Sequence, residues 1–149
     1  MHEKLLIDKV LITLEVGEKT CLFILLGKDG ILHRKGDGNP VHDLPLQRGV
    51  SKLKHFDAFM MTVNEGIFAY SGVRRQPDIM GEICRLTIIF QGPNDVDFPF
   101  RVVYGSDSDG PPRELVEILI NAVKITEGWY QEELNQPQEE EKKRWKFWK

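Results

Sequence analysis

The feature that most constrains the fold is the stretch opened by Pro111-Pro112. Proline fits the first turn of a helix, where its missing N–H would be unpaired in any case. From Arg113 to about Leu134, Leu115, Ile118, Leu119, Ala122, Val123, Trp129 and Tyr130 fall within one broad arc. Glu117, Asn121, Lys124, Gly128 and Gln131 fall opposite. A helix with one apolar stripe has to bury it against a second layer. Burying about seven large apolar side chains contributes roughly 10–20 kcal/mol gross, before chain entropy is subtracted. Gly128 weakens the helix by about 1 kcal/mol against alanine and marks where it would bend.

The second layer is predicted to be a sheet, because the rest of the chain is strand-like. Val10, Ile12, Leu14 and Val16 share one face of a period-two run, with Thr13 and Glu15 on the other. Thr20–Leu26 is apolar on both faces, which predicts a central strand covered on both sides. Asp29-Gly30 is a hairpin signal leading to Ile31–Lys35. Residues 37–50 read as loop. Ser51 is placed as the N-cap of a short helix carrying Leu53, Phe56, Phe59, Met60 and Val63. Ile67–Tyr70 reads as a short strand, and Gly72–Gly81 as exposed. Glu82–Gln91 and Asp97–Tyr104 form a further pair. Pro99 argues for an edge or an irregular start in the second of these strands.

These elements predict an α+β fold. It comprises an antiparallel curved sheet or partial barrel of five to seven strands, covered by a long C-terminal helix, with a short middle helix. The element order resembles pleckstrin-homology-like architecture, a resemblance of architecture that transfers no function. Residues 1–134 are expected to form a single domain, 135–141 a polar linker and 142–149 a basic-aromatic tail.

The net charge of −3 is uneven: residues 139–149 carry three acidic and five basic groups, leaving the preceding body near −5. An acidic body argues against nucleic-acid binding, which needs a concentrated basic face. Cys21 and Cys84 each lie in an apolar run and read as buried free thiols. No secretory signal and no membrane-spanning run is visible, which places the protein in the cytoplasm.

Motifs for chemistry are sparse. Asp107-Ser108-Asp109-Gly110 begins like a calcium loop, but the fifth, sixth and twelfth positions hold Pro111, Pro112 and Ile118. No nucleophile elbow, phosphate loop or dinucleotide fingerprint is present. No cofactor, metal site or catalytic residue is therefore assigned. Arg34 with Arg74 and Arg75 would form an anion-binding patch if their loops converge.

The tail, Lys142-Lys143-Arg144-Trp145-Lys146-Phe147-Trp148-Lys149, holds two of the three tryptophans behind a run that cannot pack. The leading expectation is a small non-enzymatic protein-binding module (an adaptor, inhibitor or assembly factor). Its protein partner would be reached through Arg144, Trp145, Phe147 and Trp148. On that reading, Trp145→Ala and Trp148→Ala each weaken binding of the partner by at least about 1–2 kcal/mol. Two alternatives stay open. One is an enzyme site assembled from His33, His42, His55 and Arg74 or Arg75. The other is a peripheral-membrane or single-strand nucleic-acid binder acting through the tail.

Overall fold

Strands form where the sequence alternates or runs apolar in the computed structural model, which describes residues 7–52, 54–94 and 96–136. They are β1 (Lys9–Val16), β2 (Lys19–Gly27), β3 (Ile31–Gly36), β4 (Leu46–Val50), β5 (Gly72–Arg75), β6 (Ile83–Gln91) and β7 (Asp97–Gly105). Helix α1 (His55–Met61), a 3-10 helix (Glu65–Tyr70) and helix α2 (Arg113–Asn135) complete the order. The strands make one 7-stranded sheet, in the order β4-β3-β2-β1-β6-β7-β5. All neighbours are antiparallel except β5 and β7, which run parallel. The architecture is the expected α+β one, with the sheet left open rather than closed into a barrel.

Register sorts the side chains. Ile12 lies opposite Ile24 on one side and Ile88 on the other, and Ile88 lies opposite Phe100. These four are at most 2% exposed. On the same face Phe68 meets Phe90 and Phe98 with ring centroids 5.0 Å apart in each pair. All the helices contribute to this core: Phe59 from α1, Ile67 and Phe68 from the 3-10 helix, Leu115, Ile118 and Ala122 from α2. The face of α2 centres on Leu115, Ile118, Ala122, Thr126 and Tyr130; Leu119, Val123 and Trp129 flank it, half-buried. None of the described helices is long and apolar enough to cross a membrane.

Glycine is required where β3 leaves β2. Gly36 has φ +79°, and a Cβ there would lie 2.2 Å from the Cys21 carbonyl oxygen. Cys21 itself sits at the register shift opposite Leu14 and Glu15.

Several local expectations are corrected. The region expected to be loop contains β4, an edge strand with little burial and therefore little hydrophobic pattern. The short strand expected at Ile67–Tyr70 is the 3-10 helix, started by the Asn64 side chain accepting from Gly66 N–H at 2.9 Å. Part of Gly72–Gly81 is β5, whose side chains are exposed apart from the half-buried Gly72. Ser51 is not the cap of the middle helix, which begins at His55 after Lys54 with no side-chain cap. Pro99 is tolerated because β5 begins pairing with β7 only at Phe100.

Candidate interaction face

The sheet has two faces, and every described helix packs on one of them. The other face is set by the same pairing. Leu11 lies between Leu25 and Ile89, and Ile89 lies opposite Pro99. Thr13 lies between Phe23 and Thr87. Leu11, Phe23, Leu25 and Ile89 are half-buried by their neighbours within the sheet, with no described helix over them. At the margins Leu46, Val50, Val73 and Ile83 are exposed, Val50 and Val73 by 71% and 70%. The aliphatic surface thus continues from the centre to both edges.

Charge on this face is one-sided. By register Lys9, Lys35, Arg48, Arg75, Arg85 and Arg101 share it, against Glu15 and Asp97. No ion pair joins any of the six basic groups to a carboxylate among the described residues. The bulk acidity therefore conceals a concentrated basic surface: most acids sit on turns and on α2, while strand parity gathers the cations. His33 sits among them. Burial, then the Arg48 charge, holds its pKa below the ordinary histidine value, so it adds no charge near neutrality.

The proposed arginine patch does not assemble. Arg34 is fully buried on the helix-covered face. Its Nε donates to Gly36 O at 3.0 Å, Nη1 to Val123 O and Thr126 Oγ1 at 3.2 Å each, and Nη2 to Glu127 Oε2 at 2.7 Å. The guanidinium also stacks over the Tyr130 ring, 4.4 Å from its centroid. Tyr130 OH accepts from Gly36 N–H at 3.0 Å and donates to Pro45 O at 2.5 Å. Arg34 thus fastens α2 to β3, with four of its five N–H donors engaged inside the fold. Arg74 and Arg75 lie on β5, with four strands between it and β3. They also point to opposite faces, since Arg74 pairs with Val102 and Arg75 with Val103.

Arg74 reaches a groove of about 490 Å³ between the 3-10 helix and the first half of α2. Ile67, Phe100, Leu115 and Ile118 form its floor, and Glu114 and Glu117 stand on its rim. Arg74 Nη2 donates to Tyr70 O at 3.3 Å. The groove lining includes no histidine or cysteine.

The three histidines of the enzyme alternative are not brought together. His33 is on the open face and His42 is exposed in the loop after β3, where it pairs with Asp37 at 2.6 Å. His55 lies by the β2–β3 turn at the other end of β3, beside a smaller cavity of about 230 Å³. Cys21 and Cys84 are free and buried, and burial raises both thiols. Burial foremost also pushes the neighbouring Tyr104 up to about 12. No three His, Cys, Asp or Glu side chains among the described residues are grouped as a metal would need. Arg144, Trp145, Phe147 and Trp148 lie outside the described residues. Comparison with family models, curated proteins and solved structures returns no match.

Sequence reasoning missed the open face, and a signal for it was present. Thr20–Leu26 is apolar on both sides, and Arg85 and Thr87 share a face with Ile83 and Ile89. A strand apolar on both faces in a fold with helices enough for one has surplus apolar surface, and that surplus marks a contact.

Proposed function

We propose that this chain is a non-enzymatic protein-binding module whose open sheet face docks an acidic protein surface. The observation that carries the proposal is the combination on that face of a continuous aliphatic centre with six basic groups and two acidic ones. Cations with no described carboxylate partner, set around an apolar centre, suit a partner with an apolar patch rimmed by carboxylates, since complementary potentials steer encounter and fix register. Seven strands spaced about 4.8 Å apart span roughly 29 Å, and strands of this length give roughly 600 Å² in projection. That is near the ~800 Å² per partner of a standard interface.

A protein partner is favoured over a single-stranded nucleic acid by the kind of apolar surface. Single strands are held on aromatic platforms, each base stacking on a ring. Phe23 is the one Phe, Tyr or Trp ring among the described strand positions of this face, with the His33 imidazole as the other aromatic ring there.

The test uses the full chain as bait in three forms: unaltered, Arg85→Glu/Arg101→Glu on the open face, and Arg113→Glu/Lys124→Glu on α2. All three should melt alike, because all four side chains are exposed or lie at the helix surface. An acidic protein retained by the first and third baits and lost by the second supports the proposal. Identical capture by all three, or capture abolished by nuclease, overturns it.

A further inference from the structure

We propose that the β5 edge takes a further strand beyond the seven of the sheet: an extended segment of the partner in which aliphatic side chains alternate with acidic ones. This deepens the reading of an acidic partner and rests on it for the partner's charge. β5 is the outermost strand on its side and pairs only with β7 among the described residues. The Gln76 N–H donates to Val103 O at 3.0 Å. Alternation along the strand therefore turns the backbone of Arg74 toward β7 and that of Val73 and Arg75 outward. Val73, Arg74 and Arg75 are all exposed. An edge with outward N–H and C=O groups is a template for main-chain pairing with an extended peptide.

The two sides of that edge differ in chemistry. On the helix-covered side lies the groove of about 490 Å³, floored by Ile67, Phe100, Leu115 and Ile118. Gly72 pairs with Phe100, and a Cβ built on it would meet nothing within 4 Å, so the backbone leaves space beside the groove. The 3-10 helix packs away from the edge, since its Phe68 turns inward onto Phe90 and Phe98 of β6 and β7. Glu114 and Glu117 stand on the groove's rim. Arg74, the one cation among its described lining residues, folds back over the Tyr70 ring and donates to Tyr70 O. On the open side Val73 lies opposite Arg101, and Val103 lies between Arg75 and Arg85. An added strand points every second side chain into the groove and the others toward these arginines. Aliphatic residues fit the first set and carboxylates the second. A slip of one residue would set carboxylates against Glu114 and Glu117 and aliphatic groups among the arginines, so charge fixes the register.

Like charge disfavours a second copy as the occupant. Pairing β5 with its own duplicate would set Arg74 and Arg75 against a second Arg74 and Arg75, a contact that guards an edge against self-pairing. At the opposite edge the covered side is already filled. Trp129 lies against Gly49 of β4, 3.0 Å from where a Cβ would stand.

The test selects binders to the full chain from a phage-displayed library of random peptides of about eight residues, an ordinary strand length. Selected sequences should alternate aliphatic and acidic residues. A synthetic peptide of such a sequence should slow hydrogen exchange at the Val73 and Arg75 amides by at least about tenfold. Arg75→Pro removes one outward N–H at an edge position where proline is tolerated. It should weaken the peptide about fivefold beyond Arg75→Gln, which loses the charge alone. Exchange in the unaltered chain carries the test if Arg75→Pro lowers the melting temperature. Selected sequences without the alternation, or slowed exchange at β4 amides and not at Val73 and Arg75, overturn the inference. Protection of those two amides by self-association, rising with protein concentration, overturns the partner and gives the edge to a second copy. An acidic protein captured through Arg85 and Arg101 and retained in full by Arg75→Pro overturns the added strand while leaving the face reading intact. Peptide protection of Val73 and Arg75 with no acidic protein captured leaves the edge site standing and defeats the face reading instead.

Discussion

The two faces of the sheet are made from the same strands, yet one specifies the fold and the other is left available. On the covered face Ile12, Ile24, Ile88 and Phe90 are fully buried, and Arg34, the one buried charged side chain among the described residues, is satisfied by carbonyls, a hydroxyl and a carboxylate. On the open face aliphatic residues alternate with cations that have no described carboxylate partner. The difference follows from burial. A charge beneath a helix must be paired, because an unpaired one costs several kcal/mol or more. A charge facing water is free to remain single, and so remains available to a partner.

The largest effect that tests this contrast comes from adjacent residues of β2. Ile24 is fully buried and Leu25 faces the open side. Ile24→Ala should cost about 3–4 kcal/mol, the transfer loss plus a cavity. Leu25→Ala should cost less than about 1.5 kcal/mol, since half-buried surface is lost and no sealed cavity forms. Urea unfolding with an unchanged m-value would read both. Similar costs for the two would break the contrast and indicate a packed layer over Leu25.

A somewhat smaller difference is expected between two arginines. Arg34→Ala should cost about 3 kcal/mol, because it removes buried stem packing and leaves the Gly36 and Val123 carbonyls short of a donor. Arg85→Ala, on the open face, should stay within about 0.5 kcal/mol of wild type in the same unfolding measurement. A costly Arg85→Ala would mean that its charge is already engaged in the folded chain.

How much of this was legible follows the same division. Strands β1, β2, β3, β6 and β7 and helix α2 were readable because each buries one periodic face, and burial is what writes a period into sequence. Strands β4 and β5 were not, because edge strands bury little and carry residues such as Arg48, Gly49 and Arg75. Arg34 looked like surface because His33 and Lys35 flank it. Period two places those neighbours on the open face and Arg34 beneath α2, so alternation alone contained the correction. The partner Glu127 lies 93 residues away, a pairing that no local pattern announces. The basic face was hidden by averaging: a net charge sums over the chain, whereas strand register selects every second residue of several strands.

The smallest predicted effect concerns Glu127, where the buried charge of Arg34 meets water. Burial alone would raise this carboxyl, but hydrogen bonds from Gln131 and Arg34, with the Arg34 charge, outweigh it and hold the pKa below the ordinary value. A carboxyl depressed in the folded state stabilises the protein above its unfolded pKa of about 4.3, and that contribution is lost as pH falls through the folded value. Glu127→Gln should therefore lower stability near neutrality and lose its effect in acid, so the two unfolding curves converge below about pH 4. The side chain is 43% exposed, so solvent screening limits the cost to about 0.5–1 kcal/mol at pH 7. Arg34 keeps its backbone acceptors, which is why this cost stays well below that of Arg34→Ala. Urea midpoints for both proteins between pH 3 and 8 would show it. A difference constant across that range would mean that Glu127 acts through packing alone, and that Arg34 is held by its neutral acceptors rather than by the ion pair at the rim.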